Sequence, residues 1–403
     1  MMRFIFNFLF FIHGLVHFLA FAGEWKLPIA KSFDGRAMIS LSTFGSKAVG
    51  LGWLLTSIGL MFSLYLYYQK KQWWWTLSAC CLVISQSLII LYWNDAKYGT
   101  AINIVLLIPV LLSYFQQQFD RRVDHEIKSL LSAQPNTSSP TVTLNHIQYL
   151  PPVVQKWLIR SNIIGKVKPP LVHLYQKGMM RSKPQASWMK MDAEQFITTD
   201  TPGFVWKTTI NSDNFFTISG CDKLTNGHGN MFIKAMNVIP IANSQGKEID
   251  QGTWMRYLAE IMWCPSVALS EFIRWEYVSD ASARAILQNG KDVASGLFSF
   301  DKNGDVVGFE GKRYGDFNDL FILETWSIRV TGYREFNGIR IANKSEVTWK
   351  LKQGDFTWLK MEVTAIEYTS NNSSQAISSA PLIKEANKTV TEENKKHFQL
   401  EHS

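Results

Sequence analysis

Four stretches in the first third of the chain are almost free of charged residues, and they cover residues 4–21, 48–68, 73–93 and 98–115. Each is close to the ~20 residues that a helix needs to cross a bilayer core of ~30 Å. A bilayer offers no partners for backbone N–H and C=O groups, so stretches of this kind predict helices. We therefore expect a four-helix transmembrane bundle over residues 1–118, and this pattern argues against a fully soluble protein.

The apolar pattern changes to a period of two between residues 171 and 368. Trp349, for example, lies between Thr348 and Lys350 in an alternating run, and Gly, Asn and Asp interrupt such runs at short intervals. This pattern is typical of antiparallel strands joined by hairpins. A helical pattern near residues 252–263 interrupts the strands, and a shorter one precedes them within residues 147–164. The sequence thus predicts an α+β membrane protein, in which a curved antiparallel sheet with one or two packed helices follows the bundle.

Composition changes mark the predicted domain boundaries. Residues 119–145 are charged and then polar, without periodicity, and are expected to form a juxtamembrane linker. The β-rich soluble domain is placed at 146–369. Residues 370–403 are rich in Ser, Asn, Lys and Glu, which predicts a disordered tail.

The segment 301–305 lies between two predicted strands and contains two aspartates and an asparagine. It could belong to a calcium loop, but glycine is missing at the sixth loop position and Lys312 stands where the distal glutamate is needed. A hairpin turn is therefore the preferred interpretation.

Loop charges indicate the orientation of the bundle. Lys70-Lys71 and Arg121-Arg122 fall on the same side of a four-span topology, and clusters of this kind remain in the cytoplasm. We expect a multi-pass protein of the bacterial inner (plasma) membrane with a cytoplasmic C-terminal domain. Residues 1–22 also match a cleavable signal peptide, and this alternative leaves the placement of the C-terminal domain unchanged.

Overall composition adds mainly exclusions. The chain is 46% hydrophobic and 18% charged, and its 41 Lys and Arg against 33 Asp and Glu give a net charge of +8. This excess suits an anionic membrane surface and is too scattered to indicate nucleic acid. The four cysteines have no spacing typical of disulfides or metal ligands. No cofactor or metal is predicted.

The predicted bundle contains polar residues that need partners. His13 and His17 are one helical turn apart, and Gln86 belongs to the third apolar stretch. Two interpretations remain open, namely a haem, metal or proton site built on the histidines, and hydrogen bonds that only hold the helices together.

Candidate chemistry in the β-rich domain is sparse. Arg256 and Glu260 are four residues apart on the predicted helix and form either an exposed ion pair or a pair at the mouth of a cavity. Asp222 and His228 could act as an acid/base pair across a glycine-rich turn. The domain has nine tryptophans, which suit either an ordinary core or a wide apolar concavity. The residues predicted to bind a ligand in such a concavity are Trp206, Trp254, Trp263 and Gln195.

Two resemblances follow from short motifs. The segments 13–18 (HGLVHF), 85–86 (SQ) and 93–100 (WNDAKYGT) resemble the four-helix membrane segment of DoxX-like bacterial proteins, over about 115 residues. That resemblance implies a small membrane bundle, sometimes tied to redox or stress physiology. The segments 193–196, 202–206, 227–231 and 256–265 resemble a bacterial domain family of unknown function over residues 150–368. The expected curved sheet is similar in shape to half-barrels of the lipoprotein-carrier type.

These observations favour a membrane-anchored binding module. Its β-rich domain would hold an apolar or lipid-like ligand, and the lipid bilayer would be its second partner. An enzyme that uses Glu260 and Arg256 with Asp222 and His228 is one alternative. A redox-linked membrane subunit that uses His13 and His17 is the other.

Overall fold

The computed structural model describes residues 2–30, 35–134, 140–212, 216–317 and 320–369. The chain divides into two compact units, Met1–Asp120 and Arg121–Ser403. The expected disordered tail, residues 370–403, lies outside the described residues.

Long helices form the first unit, as its apolar stretches predicted. They are long and apolar enough to cross a membrane by length and composition. Aliphatic and aromatic side chains such as Phe10, Leu60 and Leu106 pack together between these helices. The helices are α1 (Met2–Glu24), α2 (Thr43–Tyr68), α3 (Trp74–Leu91), the short α4 (Trp93–Ala96) and α5 (Gly99–Ser132).

Helix α5 continues beyond its apolar part, and here the structure differs from the expected linker at 119–145. The helix ends only at Ser132. Phe119, Val123, Ile127 and Leu130 recur three or four residues apart, and all four are buried. This spacing is typical of an amphipathic helix. The charged residues between these positions gave the segment the composition of a linker.

A large curved antiparallel sheet dominates the second unit, in agreement with the period-two pattern. Its strands are β1 (Leu171–Met180), β2 (Met189–Thr198), β3 (Gly203–Ser212), β4 (Phe216–Thr225), β5 (His228–Ala235), β6 (Ile239–Ser244), β7 (Ile273–Ser279), β8 (Ser282–Asn289), β9 (Asp292–Phe300), β10 (Val306–Asp316), β11 (Phe321–Phe336), β12 (Ile339–Leu351) and β13 (Gly354–Thr369).

The strand order is simple, because strands that follow one another in sequence are also paired, except β6 and β7, which lie at the two ends of the sheet. Strands β1 to β6 form one meander and β7 to β13 form another, and the β1–β13 ladder joins the two. Two hairpins turn at Asn-Gly pairs, Asn226-Gly227 and Asn337-Gly338, in which both residues have positive φ. Such a turn matches the twist of the flanking strands.

The segment 301–305 forms the turn between β9 and β10, which confirms the hairpin interpretation. The Asp301 carboxylate accepts hydrogen bonds from the backbone N–H groups of Asn303 at 2.9 Å and Asp305 at 2.8 Å. This carboxylate therefore organises the turn itself, as Asp does in many tight turns.

The second unit contains the end of α5 and, among the described residues, two further α-helices. Helix α6 (Pro152–Arg160) precedes the sheet, and α7 (Lys247–Glu260) connects its two meanders, followed by 3-10 turns at Ile261–Trp263 and Pro265–Leu269. Helix α7 contacts β4, β5, β9 and β10. It begins five residues before the predicted start at 252, with acidic residues in its first turn that favour a helix N-terminus.

Candidate functional site

A cavity of about 420 Å³ lies between α7 and the face of the sheet that this helix covers, which we call the inner face. Both meanders contribute to its walls, and most of the lining is aromatic or aliphatic. Its apolar walls include Trp206, Met231, Ile233, Met262, Trp263, Phe317, Trp326, Ile328, Val347, Trp349, Phe356, Trp358, Leu359 and Met361, and its charged residues include Asp222, Arg256, Glu260 and Arg313.

Strand register places a row of functional side chains across the inner face. Gln195 on β2 is the direct partner of Trp206 on β3, and Trp206 is the direct partner of Asp222 on β4. Directly opposed residues of neighbouring strands point to the same face of a sheet. Helix α7 places Arg256 and Glu260 one turn apart above this row, because residues four apart share a helix face.

Arg256 joins two carboxylates. Its Nε donates to Glu260 Oε1 at 2.6 Å, and its Nη1 donates to Asp222 Oδ2 at 2.9 Å. The guanidinium also lies over the Trp206 ring, with Cζ 4.5 Å from the ring centroid. The side chains of Arg256 and Glu260 are only 11% and 8% exposed, so the pair lies inside the domain and lines the cavity. The interpretation of Arg256 and Glu260 as an exposed ion pair is therefore wrong.

Neutral groups complete the network behind the ion pair. Gln195 Nε2 donates to Glu260 Oε2 at 2.6 Å, and Gln176 Nε2 donates to Gln195 Oε1 at 3.2 Å. Trp206 Nε1 in turn donates to Gln176 Oε1 at 2.8 Å. Both oxygens of Glu260 therefore accept a hydrogen bond, which holds this carboxylate in a fixed orientation.

Burial acts on the pKa of Asp222. Removal of the carboxylate from water raises its pKa, although the charges of Arg256 and Arg313 act in the opposite direction. The neutral form of this acid is thus easier to reach than in a solvated aspartate.

Arg313 on β10 is a charged wall residue that the sequence analysis missed. Its Nε donates to Gly252 O at 3.0 Å, and its Cζ lies 4.9 Å from the Trp326 ring centroid. Burial and repulsion by Arg256 lower its pKa to about 10, against the attraction of Asp222 and Glu260. Strand alternation could have found it, because Phe309, Gly311 and Arg313 are two residues apart and therefore share one face of β10. The charge of Arg313 hid this, since a charged residue is not expected on the inner face of a sheet.

The other predicted residues lie in three kinds of place. Trp206 and Trp263 line the cavity. Gln195 is fully buried behind Glu260, while Trp254 is a core residue whose Nε1 donates to Gly227 O at 3.2 Å. His228 is exposed and its Nδ1 lies 3.3 Å from Asp250 Oδ2. The structure therefore does not bring His228 to Asp222, because the ring turns outward at the β4–β5 hairpin.

In the first unit, the predicted polar residues form one hydrogen-bonded network. His17 Nδ1 lies 2.8 Å from the carbonyl oxygen of His13, and His17 Nε2 lies 2.8 Å from Ser85 Oγ. His13 Nε2 lies 2.8 Å from Asn103 Oδ1, and the Asn103 amide donates to Gln86 Oε1 at 3.0 Å. Both histidines also line a cavity of about 350 Å³ within this unit. Among the residues that the structure describes, no group of three or more His, Cys, Asp or Glu could hold a metal ion.

Residues 140–361, more than half of the chain, match the model of the Family of unknown function (DUF6544). The chain belongs to this family. The match confirms the resemblance of residues 150–368 to a domain family of unknown function. The DUF6544 region contains the cavity and its charged residues, and it leaves the DoxX-like resemblance of the first 115 residues as a prediction. No curated protein matches the sequence significantly.

Several solved structures are similar to part of the chain. A putative outer membrane lipoprotein-sorting protein domain from Vibrio parahaemolyticus is 8% identical, with a TM-score of 0.28 over 52% of this chain and 92% of that chain. A DUF1329 family protein from Desulfovibrio piger is 8% identical, with a TM-score of 0.32 over 54% and 93%. A LolA superfamily protein from Nitrosomonas europaea is 8% identical, with a TM-score of 0.31 over 54% and 92%. TM-scores at this level carry no argument from those proteins to this one.

Proposed function

We propose that the protein is a membrane-anchored binding module whose sheet domain holds an apolar or lipid-like ligand in the cavity under α7. The cavity itself supports this proposal best. Its volume of about 420 Å³ falls within the ~300–1,000 Å³ of small-molecule sites. Apolar walls with a few fixed polar groups are also the usual composition of such sites, in which the polar groups orient the ligand.

Membrane anchoring is the second part of the proposal. Four helices of the described residues have the length and composition to cross a bilayer. The clusters Lys70-Lys71 and Arg121-Arg122 support a cytoplasmic sheet domain at the bacterial inner membrane, because cationic loops resist translocation. A DoxX-like bundle would fit this arrangement.

The enzyme alternative needs four residues close together. Arg256 forms hydrogen bonds with Asp222 and Glu260, but His228 contacts none of the three. Fixed charges around an apolar cavity serve ligand orientation without further chemistry, so binding is the function that the geometry supports best.

Mass spectrometry of organic extracts tests the proposal directly. The full chain, purified in mild detergent, should release a copurifying apolar compound that is absent from the Ser345→Trp variant. Ser345 is buried and lines the cavity, so an indole at this position occupies ligand space. Ser327→Trp is the matched control, because Ser327 follows the inward-facing Trp326 on β11 and points to the opposite face of the sheet. Equal ligand content in all three proteins, or an extract from the folded wild type without such a compound, would refute the cavity as a binding site.

A further inference from the structure

Arg313 differs from Arg256 in how its charge is compensated. Arg256 contacts two carboxylates. Within the described residues, Arg313 has no carboxylate within salt-bridge distance, and its Nε is its one hydrogen-bonded nitrogen, bound to a backbone carbonyl. Its two terminal nitrogens, Nη1 and Nη2, therefore remain available on a residue that lines the cavity.

Packing holds this guanidinium in place without neutralising it. Its Cζ lies 4.9 Å from the Trp326 ring centroid and 5.8 Å from that of Trp349, and the bond from Nε to Gly252 O fixes the base of the fork. A guanidinium held against ring faces loses little further freedom when it binds a ligand, since its planar fork is already oriented.

The nearby carboxylates are committed elsewhere. Glu260 accepts from Arg256 and Gln195, and Asp222 accepts from Arg256. The pKa of Arg313 is lowered because burial and repulsion by Arg256 outweigh the attraction of Asp222 and Glu260. A charged group in an apolar wall is costly unless it is paired, and an anion supplied from outside would pair it.

We propose that Arg313 binds the oxyanionic head group of an amphiphile whose hydrocarbon chain fills the cavity. The fork of a guanidinium matches a carboxylate or a phosphate, since either can accept two parallel N–H···O bonds. The side chains beyond the head group are apolar, among them Ile328, Val347 and Met361. This inference rests on the proposed function and narrows its ligand to single-chain carboxylates or phosphate monoesters.

Three probes with the same chain and different head groups test it. Hexadecanoate, hexadecyl phosphate and hexadecanol are titrated against the full chain in detergent, and bound probe is counted by native mass spectrometry. Arg313→Met should weaken hexadecanoate or hexadecyl phosphate by at least about tenfold, the effect of losing a charge-assisted hydrogen bond, and leave hexadecanol unchanged. Arg329→Met is the matched control, because Arg329 is an exposed arginine on β11 that pairs with Glu346.

Each outcome separates the head-group inference from the binding function. The anion that binds wild type more tightly identifies the source as a fatty acid or a phosphate-bearing lipid. Equal weakening of all three probes by Arg313→Met would overturn the head-group inference while the cavity remained a binding site. Failure of every probe to bind wild type would count against both. Arg313→Lys keeps the charge but not the forked geometry of the guanidinium, and it replaces Arg313→Met in the test if Arg313→Met does not fold. Wild-type affinity of Arg313→Lys for both anions would overturn the role of the fork.

Discussion

Arg256 contacts Glu260 on its own helix and Asp222 on β4, and it covers the ring of Trp206. One side chain thus links α7 to two strands of the inner face. Replacing it with an apolar residue leaves two mostly buried carboxylates without the cation that donates hydrogen bonds to them. The desolvation of unpaired charges makes such a loss much larger than the loss of an exposed pair.

Arg256→Met should lower the free energy of unfolding by ~3–5 kcal/mol, and Glu260→Gln by ~1–3 kcal/mol. The double variant should cost less than the sum of both, because it removes one of the two carboxylates that Arg256→Met strands. Denaturant unfolding of the full chain in detergent measures the three values. Arg329→Met, in an exposed pair, should cost less than ~1 kcal/mol. Strict additivity of the two single effects would disprove the coupling.

His173 on β1 lies between two acids on the face opposite the cavity. Its Nε2 is 2.9 Å from Glu194 Oε1, its Nδ1 is 3.7 Å from Glu367 Oε2, and its ring stacks on Phe196. Burial lowers the pKa of this histidine, but its hydrogen bonds to Glu194 and Glu367 outweigh burial and raise it above 6.5. The same contact lowers the pKa of Glu367 below 4.5.

Stability should therefore depend on pH through His173. A histidine whose pKa is raised on folding adds stability that is complete below its unfolded value of 6.5 and is lost as pH rises through the folded value. Glu367, whose pKa is lowered, adds stability above 4.5 that is lost as pH falls through its folded value. The melting temperature of the wild type should fall both at high pH and at low pH, and His173→Gln should show neither of these two falls. His228→Gln, at an exposed histidine, is the control. A wild-type advantage that persists at high pH would contradict this assignment.

At the scale of elements, α7 approaches β5 closely at one glycine. A Cβ on Gly229 would lie 2.9 Å from the carbonyl oxygen of Ile249 and 2.6 Å from Thr253 Oγ1, so the helix backbone itself is in the way. A Cβ on Gly252 of the same helix would have no neighbour closer than 3.5 Å. The position of α7 over the cavity thus depends on the missing side chain at 229.

Gly229→Ala should destabilise the domain by ~1–3 kcal/mol, the usual cost of overpacking, and reduce retention of any copurifying ligand by displacing α7. Gly252→Ala should be neutral or stabilising by up to ~1 kcal/mol, because alanine favours the helix and fits the space. Thermal melts and ligand content of both variants make the comparison. Equal melting temperatures for the two variants would show that the helix moves freely.

Periodicity predicted the sheet, because exposed and buried positions alternate along its strands. The length of the uncharged stretches predicted the four apolar helices, and the residue types of 301–305 predicted the turn. Periodicity located α7 imprecisely, since residues 252–260 are buried on all sides and leave no polar face. Trp254 and Trp263 look equivalent in sequence, yet only Trp263 reaches the cavity. The spacing of four residues predicted the pair of Arg256 and Glu260. The contact of Arg256 with Asp222 and the alignment of Gln195, Trp206 and Asp222 depend on strand register, which cannot be derived from the sequence pattern.

At the scale of the whole molecule, the last part of α5 belongs to the second unit. Glu126 Oε2 accepts a hydrogen bond from Lys223 Nζ at 2.5 Å, and the Arg122 guanidinium lies over the Phe232 ring at 3.8 Å. The space beside Gly203 is filled by Leu130, whose Cδ1 is 2.6 Å from where a Cβ would stand. The second compact unit thus begins at Arg121, within α5, whereas the sequence analysis placed the start of the β-rich domain at 146.

Two fragments test this boundary. Residues 121–369 should fold as a soluble, β-rich protein with a cooperative melt, because the fragment keeps the buried Val123, Ile127 and Leu130 together with their contacts. Residues 140–369 contain the family region 140–361 but lose this helix, so they should melt at a lower temperature and expose apolar surface to the dye ANS. Glu126→Gln in the longer fragment separates the ion pair from the apolar contacts and should cost ~1–3 kcal/mol, since the two partners are only 15% and 22% exposed and Lys223 would lose its counter-charge. Equal melting temperatures for the two fragments would show that residues 121–132 of α5 do not stabilise the sheet domain.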